Sequence, residues 1–175
     1  MKTITLLRHA DTISREEFRV RGDKNDLLRP LSKLGKSQSK DIAHFVSHHL
    51  TFDTLISSPA KRTKQTLKPI EKKYKKAKIL LSGDIVPDCG LEGYLKLTQT
   101  PTFKRAHHIL IVGHQPDLES FAKYLCPYFN SAFPKGILIR FHLNNELDHE
   151  SATQGLAGKG MIDFVLPPYL LSVKD

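Results

Sequence analysis

Three short stretches of this 175-residue chain carry side chains able to hold and move an anion. Arg8 and His9 close the run TITLLRH. Ser58, Pro59 and Arg62 lie in SSPAKRTKQT, and His114 ends IVGH. An arginine offers a planar fork that meets phosphate oxygens in pairs. A histidine near its reference pKa of about 6.5 is a nucleophile when neutral and a donor when protonated. Phosphoryl transfer asks mainly for positioning and for positive charge around the equatorial oxygens. Two arginines with a second histidine supply that charge without a metal.

These residues act together only if the fold brings them to one place. Residues 3–8 are β-branched and apolar and predict a strand buried on both faces. Residues 53–57 (DTLIS), 78–82 (KILLS), 108–112 (HILIV), 136–143 (GILIRFHL) and 161–166 (MIDFVL) predict five more strands. Residues 12–30 are polar and irregular, with one short helix expected. Residues 33–49 place Leu34, Ile42, Phe45 and Val46 at helical spacing, with Ser32 as N-cap. Ser58-Pro59 predicts an N-cap and a first-turn proline for the next helix, which Pro69 should kink or break. Residues 91–99 and DLESFAKYL, opened by Pro116, predict two further helices. A long polar loop, 144–160, separates the last two strands.

Strands alternating with helices predict an α/β fold. The expected architecture is a three-layer sandwich, a mostly parallel six-stranded sheet with helices on both faces. The last two strands, joined without a helix, could be antiparallel. Such sheets bind ligands at the carboxyl ends of their strands. That rule brings His9, Ser58 with its helix start, and His114 to one crevice, where a helix N-terminus also attracts anions.

LLRHA, SSPAKRTKQT and IVGHQP, in this order and each after a strand, resemble the three motifs of the histidine phosphatase (phosphoglycerate mutase-like) superfamily. LLRPLSKLGKSQSK and the short chain resemble its SixA-type protein-histidine phosphatase branch. The resemblance runs from Lys2 to about Leu125 and more loosely to Leu170. It implies a sheet with one antiparallel edge, no cofactor and no metal. It implies that His9 is the nucleophile that becomes phosphorylated, that Arg8 and Arg62 clamp the phosphoryl oxygens, and that His114 stabilises the transferring group. It also places Arg29, before Pro30-Leu31, as a phosphate or substrate ligand. Asp88 in VPDCGLEG aligns best as proton donor, with Glu92 and Asp11 as the other options. The usual glycine after the nucleophile is Ala10, which prefers negative φ.

The leaving group bears on the substrate. Imidazole leaving from phosphohistidine is a weak base, with a conjugate-acid pKa of about 6.5, so it needs little help from a general acid. His114 follows Arg62 by 52 residues, which leaves little chain for a lid. Both features favour a phosphohistidine presented by a protein partner. The alternatives are a small phosphate ester or anhydride as substrate, and a non-catalytic module that binds phosphorylated partners.

The bulk properties set the remaining bounds. One domain, 1–175, is expected from the length. The 27 Lys and Arg outnumber 18 Asp and Glu, a net charge of +9. Nine of the basic residues fall between Lys61 and Lys78, against Glu71 alone. Most of these lysines read as a solvated helix face, and the cluster can steer an anionic partner. No nucleic-acid module accompanies the charge, so nucleic acid is not an expected partner. Cys89 and Cys126 suggest neither a disulfide framework nor a metal site. No secretory leader or membrane span is evident in the sequence, and a cytoplasmic monomer is expected. His44 and His48, four apart, lack a third ligand at motif spacing. GLAGKG, 155–160, lacks the full spacing of a phosphate loop and precedes a strand.

Overall fold

The computed structural model describes residues 2–22, 24–143 and 155–171. Its centre is β1 (Lys2–Arg8), whose interior is fully buried because helices cover both its faces. Around it lie β2 (Thr54–Ser57), β3 (Lys78–Leu81), β4 (His108–Gly113), β5 (Leu138–Leu143) and β6 (Gly160–Leu166). The sheet order is β3-β2-β4-β1-β5-β6. The first four strands run parallel. β5 is antiparallel to β1, and β6 is antiparallel to β5. This is the expected phosphoglycerate mutase-like three-layer arrangement.

Alternate residues of the strands feed two cores, as the twofold side-chain period requires. Leu7, Leu55, Leu110 and Val112 pack under α2 (Lys33–His49) and α3 (Lys61–Glu71). Ile4, Leu6, Ile109 and Ile111 pack under α4 (Gly90–Gln99), α5 (Pro101–Arg105) and α6 (Asp117–Leu125). Ahead of α2 come the short α1 (Arg15–Val20) and a 3-10 turn, Asp26–Leu28. α5 escaped the sequence reading because five residues are too few to show a period.

Two local expectations need correction. Ser58 does not cap α3. The helix begins at Lys61 with Ala60 in the cap position and no side-chain cap, because the Ser58 hydroxyl is used elsewhere. Pro69 does not break α3 at its own position. The helix runs through it and ends two residues on, at Glu71. Ser32 does cap α2, its hydroxyl accepting from Gly35 N. Of the expected loop 144–160, residues 144–154 lie outside the described residues. Gly155 to Gly158 form a turn, and β6 starts at Gly160.

Candidate active site

Strand register decides what meets at the carboxyl edge of the sheet. Arg8 pairs with Gly113, and Ser57 with Val112. The next residue on each strand is therefore His9, His114 or Ser58. His9 N donates to Gly113 O at 3.1 Å, and Ser58 N to Val112 O at 3.1 Å, so the ladder continues into the site. The two histidine rings lie 5.4 Å apart between centroids, tilted by 57°. His9 is 5% exposed and His114 2%.

Each ring is oriented by one bond. His9 Nδ1 donates to the Ala10 carbonyl at 2.8 Å. A carbonyl can only accept, so the proton sits on Nδ1 and the Nε2 lone pair is free. His114 Nε2 pairs with the Ser58 hydroxyl at 2.8 Å, while its Nδ1 is buried without a protein partner among the described residues. The serine that looked like a helix cap thus orients the second histidine. Ala10 does not adopt a left-handed backbone; among the described non-glycine residues only Asp88 has positive φ. Ala10 N donates to Thr66 Oγ1 at 3.1 Å, tying the segment that carries His9 to α3. Gly113 is required sterically: a Cβ there would come within 2.2 Å of Tyr94 Oη.

The electrostatics keep both rings neutral at pH 7. Burial pushes the His9 pKa down to about 3; its bond to Ala10 opposes this, and Arg62, Arg8 and Lys135 add to it. Burial, then Arg62 and His9, push His114 down to about 2. A buried neutral histidine amid cations is poised to attack an anionic centre and to gain from its charge.

Arg62, 3% exposed, donates through Nη1 to Asp26 O at 2.7 Å and approaches Asp26 Oδ2 at 3.1 Å. Its Nε is buried without a partner among the described residues, as is that of Arg8. Arg8 Nη1 donates to Phe133 O at 2.6 Å. These free guanidinium donors suit an oxyanion. Arg29 lies one layer back. Its Nε donates to Asp26 Oδ1 at 2.8 Å, and its Nη1 to Thr12 Oγ1 at 2.6 Å and Ile13 O at 3.0 Å. It reaches the cluster through Asp26.

The three carboxyl groups separate by position. Partial burial would raise the Asp11 pKa, but bonds from Ser32 Oγ (2.6 Å) and Lys135 Nζ (2.9 Å) outweigh it and hold the group ionised. Glu92 is paired with Lys96 at 2.9 Å on the solvent side of α4. Asp88 has φ 65°, in the left-handed region that Asp tolerates better than most residues. The buried Asp117 carboxylate secures it, accepting from Asp88 N and Gly90 N at 2.9 Å each. Asp88 and Asp26 share the wall of a cleft of about 410 Å³ that also carries Arg15, Arg19 and Lys24.

Sequence reasoning missed Asp26, Lys135 and Phe133. Their links to the motifs span 36, 124 and 125 residues, and none lies in a periodic element. The polarity of 12–30 was the only available signal for Asp26. The site is also more enclosed than the absence of a lid suggested, because the Asp26–Leu28 turn is fastened to Arg62. Outside it, the His44 and His48 rings lie 4.4 Å apart between centroids, tilted by 43°. Among the described residues, no group of three or more His, Cys, Asp or Glu could hold a metal. No described helix is long and apolar enough to cross a membrane.

Residues 4–83 match the family model of the histidine phosphatase superfamily (branch 1). No curated protein matches the sequence. Among solved structures, the chain is similar to the protein histidine phosphatase SixA complexed with tungstate. Identity is 18% and the TM-score 0.76, covering 97% of this chain and 99% of that one. It is similar to a candidate phosphohistidine phosphatase SixA from Agrobacterium tumefaciens at 20% identity and TM-score 0.75, covering 95% and 98%. It also resembles a phosphoserine phosphatase mutant from Entamoeba histolytica bound to phosphoserine. Here identity is 16% and the TM-score 0.60, covering 94% and 96%. At these identities the likeness is one of fold.

Proposed function

We propose that this chain, whose residues 4–83 match the histidine phosphatase superfamily model, is a phosphatase of that kind and hydrolyses phosphohistidine carried by a protein partner. The observation that carries the reading is the state of His9. Its Nδ1 proton is committed to Ala10 O, its ring is neutral, and it faces His114 within the electrostatic reach of Arg62 and Arg8. In the first step His9 Nε2 attacks phosphorus in line. A new N–P bond forms as the substrate N–P bond breaks, and neutral imidazole departs from a phosphohistidine protonated on its other nitrogen. Arg8 and Arg62 hold the equatorial oxygens, and His114 donates from Nδ1 to the transferring group. Water then attacks phospho-His9, releasing orthophosphate and regenerating the ring.

The ionised states of Asp11 and Glu92 support this substrate class, since neither carboxyl is a proton donor at neutral pH. A departing alkoxide needs such a donor, whereas imidazole needs little help. Asp88, in the cleft wall, is the group we assign to proton donation when an ester is the substrate. The fold shared with the protein histidine phosphatase SixA supports the same choice. Cys89 and Cys126 are free thiols, which suits a reducing cytoplasmic setting.

One observation favours a second reading. The cleft of about 410 Å³ beside Asp26 has the size of a small-ligand site, which would suit a phosphate ester. Comparing kcat/KM for a histidine-phosphorylated protein with a panel of phosphate esters and anhydrides separates the two. The proposal expects the phosphoprotein to lead. A small ester faster by about a hundredfold, some 2.7 kcal/mol of transition-state binding, would overturn it.

A further inference from the structure

Away from the histidines, α2 and α3 enclose a groove of about 740 Å³. Lys36, Lys40 and His44 line it from α2 at intervals of four, one face of a helix. Lys68 lines it from α3, and Lys72 and Lys73 from the turn that follows that helix. All six side chains belong to exposed residues. None of the five lysines has an ion pair or a side-chain hydrogen bond among the described residues. Asp41 is the one carboxylate in this lining, and Ala43 and Pro69 give the groove an apolar floor.

Five exposed ammonium groups face one trough that holds a single carboxylate, a positive lining that attracts anions. An anionic occupant complements that charge. We propose that the groove is a docking site for an acidic amphipathic helix of the phosphohistidine-bearing partner, an inference that rests on the function proposed above. From Lys36 to His44 the trough runs about 12 Å at 1.5 Å per residue, which is about two turns of a third helix. An apolar floor between cationic rims matches a helix with one apolar face and acidic flanks. The lining holds no Phe, Tyr or Trp and no arginine, the groups that most often stack and fork onto nucleic acid.

The groove also points at the chemistry. Gln65, at its near end, accepts from Leu31 N at 2.8 Å and sits less than one turn beyond Arg62. Lys36 follows Gly35, where a Cβ would come within 1.9 Å of the Asp11 carbonyl oxygen, two residues from His9. A helix seated here delivers whatever precedes or follows it to the mouth of the site. The sequence suggested a basic face over 61–78. The structure selects three of those lysines and joins to them two from α2.

The test is the double variant Lys40→Glu/Lys72→Glu, which alters exposed residues outside the catalytic set. With a histidine-phosphorylated protein, KM should rise about tenfold or more, equal to about 1.4 kcal/mol. Turnover of a small phosphoramidate should stay unchanged, which also reports that the variant is folded. Independently, a labelled peptide with a Glu-rich and a Leu-rich face should bind the wild-type chain, and bind the variant about tenfold more weakly. Loss of peptide binding in the variant, with a wild-type chain inactive on phosphohistidine, would sustain the docking site and refute the proposed substrate. Equal KM in both forms and equal peptide binding would overturn the docking site while leaving the chemistry intact. Tighter binding of an oligothymidylate of matched charge would overturn the choice of a helix as occupant.

Discussion

The Asp26 carboxylate lies 3.1 Å from Nη1 of Arg62, on the guanidinium that would hold a phosphoryl group. The Asp26 carbonyl accepts from the same nitrogen at 2.7 Å, and Arg29 grips the carboxylate from the other side at 2.8 Å. An arriving anion must share or displace this partner. If Arg62 clamps a phosphoryl group as proposed, the 3-10 turn Asp26–Leu28 would compete for that clamp as well as roof it.

Asp26→Asn should strengthen binding of inorganic phosphate, because one negative charge leaves the clamp while the backbone carbonyl bond stays. The carboxylate is 40% exposed, so water screens it and the gain should be modest, about two- to fivefold. Competitive inhibition by phosphate measures this. Weaker phosphate binding in the variant would show that the carboxylate orders the clamp instead of competing for it.

The pH dependence of kcat/KM reports the free enzyme. With His9 pushed down to about 3, the ring stays neutral far below the usual histidine range. After correction for substrate ionisation, the acid limb should lie below about pH 5, displaced from the reference value of about 6.5. A limb near the reference value would mean that His9 is as wet as an unfolded histidine.

The same shifts make folding stability depend on pH. The unfolded chain protonates each histidine near 6.5, while the native chain refuses the proton down to about 3 for His9 and about 2 for His114. The unfolded state thus binds more protons in that window, and native stability falls as pH falls through it. Each histidine contributes a slope of up to about 1.4 kcal/mol per pH unit. Urea denaturation between about pH 7.5 and 5 should show this loss, and His114→Asn should flatten it. An unchanged slope in the variant would remove His114 as a source.

Asp88→Asn separates ester from phosphoramidate chemistry. If Asp88 protonates a departing alkoxide, the variant should lose about a hundredfold in kcat on a phosphate monoester, the usual scale of a general acid. Phosphohistidine turnover should hardly move, since imidazole leaves without that help. Equal losses on both substrates would point to a collapsed loop, because Asp117 holds Asp88 by its backbone.

Much of the site was legible because it is built at strand ends. Strand position follows from apolar runs, and the parallel register Arg8↔Gly113 and Ser57↔Val112 then sets His9, Ser58 and His114 side by side. What stayed hidden depends on loops that meet the motifs across the fold. Lys135 on Asp11 and Phe133 O on Arg8 join residues more than 120 positions apart, and no local pattern announces such a pair. Ser58-Pro59 misled for a related reason. The dipeptide has the composition of a helix start, but a buried imidazole offered the hydroxyl a partner.

The central claim is that His9 carries the phosphoryl group. Rapid quenching after mixing with a protein bearing radiolabelled phosphohistidine, followed by denaturing electrophoresis, tests it directly. The wild-type chain should carry label that is acid-labile and base-stable, more of it in His114→Ala, while His9→Ala carries none and releases no phosphate. Phosphate release by His9→Ala at the wild-type rate, or label that survives in that variant, would contradict the account.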